Sequence, residues 1–322
     1  MQGIWLEDQK IHYRTDIAMP ELQAGEALIR LRLAGICATD LELVKGYYPY
    51  TGVLGHEFVG DVISIGAEVE NSTYWIGKRV VGEINAACGR CSSCLANRRT
   101  HCENRSVLGI VQRNGAFADY FLLPVENLHI VPEIIPDEKA VFIEPLAAAL
   151  EIQEQIHVRP SDRVLVVGAG RLGQLIAQTL SLTGCDLQVV ARRPNQTRLL
   201  QDREIRVIAP DQIPQHKLDI IVEATGSQDG FQIARKAVRA RGMIVLKSTY
   251  HGEMQVNLSS VVVDEVTLVG SRCGPFQPAL DLMAAGRVDP TGLIEKRYPL
   301  SEAEKAFEHA AEPGVLKILL QP

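Results

Sequence analysis

Residues 164–180 read VLVVGAGRLGQLIAQTL, and this stretch decides the fold. Val164 to Val167 form a short apolar run suited to a strand, and RLGQLIAQTL carries helical spacing. Between them stands Gly168-x-Gly170-x-x-Gly173. Such a triplet alone is weak, but after a strand and before a helix it reads as a dinucleotide-binding turn. The first glycine turns the chain, the second lets a pyrophosphate approach, and the third lets helix pack on strand. Arg171 and Leu172 open the helix, whose N-terminus would face the phosphates. The competing reading is a tight strand–helix turn with no ligand.

Downstream, the apolar runs LQVVA, DIIVEA, MIVL and VTLVG alternate with mostly helical segments. That alternation predicts a parallel sheet covered on both faces. The second run ends in LQVVARRP, where an NAD enzyme usually places Asp or Glu for the ribose diol. Here Ala191 is followed by Arg192 and Arg193. The missing acid removes repulsion against a 2′-phosphate, and two guanidiniums can bond to it. NADP is therefore expected over NAD, unless these arginines are simply solvated.

Upstream, the chain reads as β-rich to about Pro132. Ile29, Leu31 and Leu33 alternate with Arg30 and Arg32, the period of a half-buried strand. AVFIEPLAAALEI (140–152) predicts a helix with Pro145 at a kink or an early turn. After Cys273, helices are expected near Pro278–Ala285 and Glu302–Ala311, the second with Ser301 and Glu304 at capping-box spacing. The last strand is VLKILL. This tail is too short for a domain and is expected to pack back on the N-terminal part. A chain of 322 residues suits two domains. The expected division is 1–141 with 273–322, and 142–272.

A net charge of −6 gives the chain as a whole no electrostatic reason to bind nucleic acid or anionic membrane. MQGIWLEDQKIHYR lacks the apolar core of a secretory signal, and no apolar run is long enough for a membrane span. A cytoplasmic protein is expected.

Seven cysteines, an odd number, argue against a disulfide framework. Four of them, Cys88, Cys91, Cys94 and Cys102, form C-x2-C-x2-C-x7-C within a lobe of about residues 85–105. Four thiolates so spaced can close a tetrahedron around zinc and leave no position open, which is a structural role. An iron–sulfur cluster and four unrelated thiols are the alternatives, but clustered idle thiols are an oxidation liability.

Cys37 in GICATDL, His56 and Glu57 in GHEFVG, and Glu144 in EPL offer N, S and O ligands. A catalytic zinc takes about three such ligands plus an open position. Each residue also has an ordinary reading: Cys37 a small core residue, His56 a backbone partner, Glu144 a helix cap. Thr39 could accept a substrate proton or bond its own loop.

Together GICATDL, GHEFVG, the cysteine lobe, EPL, VVGAGRLG, VEATGS, VGS and LSEAEKAFEHA…LKILL resemble, in order, the zinc-containing medium-chain dehydrogenase/reductase superfamily over nearly the whole chain. The resemblance implies an α/β fold: a Rossmann-type doubly wound parallel sheet inserted in a β-rich GroES-like catalytic domain. It implies one catalytic zinc on Cys37 and His56 as well as a structural zinc. Glu144 stands where alcohol dehydrogenases often carry cysteine, as in the polyol and sugar branch, where Glu57 or Glu144 can be the third ligand. Thr39 matches the proton-relay hydroxyl, and Lys317 a basic residue that can approach the cofactor pyrophosphate. Relatives are commonly dimers or tetramers.

Two features depart from the pattern. Glu42 replaces the histidine that completes the relay in many relatives, and the stretch from Ile208 to Asp219 is trimmed. The expected activity is reversible oxidation of an alcohol, polyol or sugar hydroxyl, with the YYPY segment (Tyr47, Tyr48) and the loop near Phe276 as pocket walls. An aldose dehydrogenase and a non-catalytic NADPH-binding protein are the rival readings.

Overall fold

The parallel sheet announced by the glycine turn is the frame of residues 145–275. In the computed structural model, which describes residues 1–250 and 253–322, six strands lie in the order Arg206–Ile208, Asp186–Val190, Arg163–Val167, Leu218–Glu223, Val238–Leu246, Thr267–Gly270. Every pairing is parallel. Strands covered on both faces need apolar residues at consecutive positions. Val164, Leu165, Val166, Ile221, Val222, Ile244 and Val245 meet that need and are all fully buried. From Arg163–Val167 the chain first builds outward through two strands. It then returns to add Leu218–Glu223 on the other side, so these two neighbours form a topological switch point. The trimmed stretch crosses through a short 3-10 turn, Pro210–Gln212.

Residues 1–144 and 276–322 form the other unit. Among the described residues its main sheet has seven strands, centred on Glu26–Gly35. Ile29, Leu31 and Leu33 point inward as the alternation requires, while Arg30 and Arg32 reach out to Asp61. Glu57–Ile65 pairs with this strand along most of its length, antiparallel. The tail strand Lys317–Gln321 joins its far end, with Leu319 opposite Gly35 and Leu320 opposite Ala34. The C-terminal residues thus complete a sheet begun near the N-terminus.

One local expectation is met and one needs adjustment. Pro145 lies in the first turn of the helix Ile143–Gln155, where its missing N–H is not needed. The helix Ala303–Ala311 carries no Ser301 cap; a 3-10 turn, Leu300–Glu302, leads into it with Glu302 at the cap position and no side-chain cap bond. No helix among the described residues is long and apolar enough to cross a membrane.

Candidate active site and metal centres

The cysteine lobe is built by short turns. Gly89 takes φ +70° and Asn97 φ +56°, and the single helical turn Ser92–Leu95 starts directly after Cys91. These turns bring the four sulfurs within 4.8 Å of one another. Cys91 Sγ lies 3.5 Å from Cys94 Sγ and 3.8 Å from Cys102 Sγ. A tetrahedron with ~2.3 Å zinc–sulfur bonds has edges of about 3.8 Å, so the spacing fits zinc. Backbone N–H groups already point at the sulfurs. Those of Arg90 and Cys91 pull the Cys88 thiol down to about 6, and those of Cys94 and Glu103 lower Cys91. Burial, with Cys91 and Cys102 alongside, pushes Cys94 up to about 12. The lobe thus favours some thiolates and leaves the remaining protons for a cation to displace.

The second constellation starts where the strand Glu26–Gly35 ends. Cys37 is the residue before the helix Ala38–Val44, and Asp40, three residues on, reaches back to accept the Cys37 N–H at 2.8 Å. Asp40 is fully buried, and its other oxygen lies 3.3 Å from His56 Nδ1, off the line of a good hydrogen bond. His56 stands just before the strand Glu57–Ile65 and is 3% exposed. Burial opposes a charge on its ring, yet Asp40 and a hydrogen bond to Cys37 outweigh it and hold the imidazole pKa well above its ordinary value. Thr39 Oγ1 is 3.8 Å from Cys37 Sγ. A thiol and an imidazole sharing a proton over a buried acid are a donor set that a divalent cation fits by displacing that proton. Asp40 faces Nδ1, which would leave Nε2 for such a cation.

The two carboxylates are placed differently. Glu57 turns into the core and pairs with the Lys317 ammonium, both side chains 2% exposed. Lys317 also donates to the Ile36 carbonyl and lies over the Phe142 ring. Its ammonium thus has three partners within this unit. Glu144 lies half-buried in the first turn of Ile143–Gln155. Among the described residues, the four lobe cysteines alone bring three or more candidate ligand atoms together; Glu57 and Glu144 are not gathered around Cys37 and His56. Glu42 pairs with Lys45 at 2.8 Å, and Tyr47 and Tyr48 are exposed.

Asp40 was not singled out from the sequence, although it lies inside GICATDL. Its signal was the spacing: an acid three residues after a cysteine, at a helix start, can reach the cysteine's own N–H.

In the nucleotide fold each glycine does a separate task. Gly168 takes φ +109°, and a Cβ there would meet the Ala224 backbone at 3.0 Å. A Cβ on Gly170 would meet nothing within 4 Å, leaving open space at the head of the helix Arg171–Ser181. A Cβ on Gly173 would stand 2.0 Å from the Gly168 carbonyl, so the helix packs on the turn only without one. Arg171 and Leu172 are half-buried in the first helical turn, whereas Arg192 and Arg193 are exposed after the strand Asp186–Val190. Arg193 stands at the position just before the helix Pro194–Gln201, with no side-chain cap bond.

The chain is similar to several known proteins. Residues 23–133 match the alcohol dehydrogenase GroES-like domain, and residues 151–244 match the shikimate/quinate 5-dehydrogenase model. A sorbitol dehydrogenase of Halalkalibacterium halodurans is 28% identical, over 94% of this chain and 94% of that protein. A D-arabitol-phosphate dehydrogenase of Enterococcus avium is 26% identical, over 95% and 92%. Among solved structures, a zinc-binding dehydrogenase of Sinorhizobium meliloti bound to NADP superposes with a TM-score of 0.89 at 27% identity, covering 100% of this chain and 99% of the other. An Escherichia coli alcohol dehydrogenase complexed with NADH gives 0.90 at 26% identity, with the same coverage.

Proposed function

The chain belongs to the zinc-type medium-chain alcohol and polyol dehydrogenase superfamily, and from that premise we propose that it oxidises a secondary hydroxyl of a polyol-like substrate at Cys37, His56 and Thr39, reversibly. It is an oxidoreductase of alcohols or polyols that uses a nicotinamide cofactor. The observation that carries the site assignment is the buried Asp40–His56–Cys37 constellation. A non-catalytic NADPH-binding protein has no use for a buried acid aimed at a ring beside a thiol.

When bound, zinc supplies the Lewis acid that lowers the pKa of the substrate hydroxyl, and the nicotinamide accepts the hydride. Cys37 and His56 would hold the metal, and Asp40 fixes the His56 tautomer from behind. Glu57 and Glu144 are both candidates for the third ligand. Recruiting Glu57 would strip Lys317 of its partner, which counts against Glu57. Thr39, beside Cys37, would take the hydroxyl proton while giving its own to solvent water. The lobe of Cys88, Cys91, Cys94 and Cys102 would hold a second, structural zinc. Gly168, Gly170, Arg171, Leu172 and Gly173 would cradle the pyrophosphate, and Arg192 and Arg193 would bind a 2′-phosphate, which supports NADP over NAD. The same reading includes a cytoplasmic homo-oligomer. Its assembly is supported by exposed Leu258, Val262 and Val263 near the edge strand Thr267–Gly270.

The test is zinc content per chain together with kcat/KM over alcohols, polyols and aldoses, with both cofactors, in wild type and His56→Ala. The expected wild type holds about two zinc ions, one per assigned centre, turns over polyols and prefers NADP. His56→Ala should lose one zinc and its turnover while still binding cofactor. Aldoses as the best substrates favour the glucose-type rival. A wild type that prefers NAD removes the assigned role of the arginines, and a His56→Ala protein with full zinc and rate removes the site.

A further inference from the structure

The carboxylate of Glu223 has no part in the chemistry above, yet it is fully buried at the end of the strand Leu218–Glu223. In register it stands opposite Val167, the residue before Gly168, so it lies at the switch point. Its Oε1 accepts the Thr225 N–H at 2.7 Å and the Thr225 hydroxyl as well. Its Oε2 accepts the Tyr250 hydroxyl. Burial first, then Glu223, pushes the Tyr250 phenol upward in pKa, so it keeps its proton and its donor role.

The neighbours are shaped around this arrangement. A Cβ on Gly230 would stand 2.0 Å from Thr225 Oγ1 and 2.5 Å from Glu223 Oε1. A Cβ on Gly168 would stand 2.9 Å from Thr225 Cγ2. Thr225 is thus held between Glu223 and the glycine turn. Tyr250 comes from the segment after Val238–Leu246, the next strand of the sheet. Beyond their strands, the loops carrying Thr225 and Tyr250 share one carboxylate.

A dinucleotide on such a sheet crosses the carboxyl ends of the strands at the switch point. With its adenosine half toward Arg192 and Arg193, its other half extends over the ends of Leu218–Glu223 and Val238–Leu246. Thr225 and Tyr250 stand at those ends. We propose that Glu223 is a positioning residue which, by holding Thr225 and Tyr250 together, fixes the nicotinamide-side wall of the dinucleotide groove. This rests on the reading that the chain binds a nicotinamide dinucleotide.

The test uses the full zinc-loaded chain. Binding of NADPH and NADH is measured by titration, and binding of the adenosine-half fragments 2′,5′-ADP and 5′-AMP by calorimetry. Tyr250→Phe keeps the ring and removes one donor. Glu223→Gln keeps the shape but turns an NH2 group toward donors. Loss of this one donor to the carboxylate should weaken dinucleotide binding about three- to tenfold in Tyr250→Phe. Glu223→Gln, which disturbs both loops, should weaken it by more than about tenfold. The fragments should bind both variants as they bind wild type, because they do not reach that wall. Unchanged dinucleotide affinity in Tyr250→Phe overturns the proposal. Parallel weakening of dinucleotides and fragments overturns it too, since that marks general damage to the fold. A wild type that binds neither NADPH nor NADH fails earlier, at the cofactor reading itself.

Discussion

The cysteine lobe and the Cys37–His56 centre are both proposed cation sites in residues 1–144, yet they are assembled in opposite ways. Four sulfurs from fifteen consecutive residues meet through local turns alone, and the spacing already fits a tetrahedron. The other centre draws on the start of the helix Ala38–Val44, the residue before the strand Glu57–Ile65, and an acid behind them. One of its carboxylates is held off by a lysine 260 residues away. A local site is set by sequence spacing and needs its metal for shape. A distributed site is shaped by the sheet and keeps its frame whether or not a metal is bound.

The sharpest way to break this contrast is to remove one lobe ligand. Cys91→Ser should cost the lobe its zinc, because three thiolates no longer close the tetrahedron. Structural zinc can contribute on the order of 10 kcal/mol to a small metal-dependent fold. The melting temperature should therefore fall far more than in His56→Ala, with one zinc lost in either case. Metal analysis and calorimetry decide it. Equal melting in the two variants would show that the lobe holds its shape without metal.

The same contrast explains what could be read in advance. The parallel sheet and the glycine turn were legible because apolar runs, helical spacing and glycine spacing are local signals. The lobe was legible for the same reason. The Glu57–Lys317 pair was not legible, because its two residues stand 260 positions apart and only the fold brings them together. Asp40 was passed over because a lone acid in a helical stretch looks like any first-turn acid; only the fold shows that His56 arrives beside it. Ser301 had capping-box spacing, but a 3-10 turn took the helix start.

Glu57→Gln separates a structural carboxylate from a metal ligand. Lys317 would be left at 2% exposure beside a neutral amide. Removing one partner of a buried ion pair typically costs about 3–5 kcal/mol. Stability should fall by that order while the catalytic centre keeps its zinc, measured by urea unfolding alongside metal analysis. Loss of zinc with little loss of stability would make Glu57 a ligand, and would show that the metal draws it away from Lys317.

Asp40→Asn probes the distributed centre most gently. Asparagine is nearly the same size, and its carbonyl oxygen can still accept the Cys37 N–H, so the helix start should survive. The other side of the group changes from an acceptor to an NH2 donor facing His56 Nδ1. The ring then does best as the tautomer with its proton on Nε2, the nitrogen needed for the metal. A partner behind a metal-binding histidine commonly contributes 10- to 100-fold in affinity or activity. The expected result is a fall of about that size in kcat/KM, with the lobe zinc retained and the melting temperature nearly unchanged. Unaltered zinc affinity and rate would mean that the 3.3 Å approach of Asp40 to His56 is packing alone. The distributed centre would then owe its geometry to the backbone, as the lobe does.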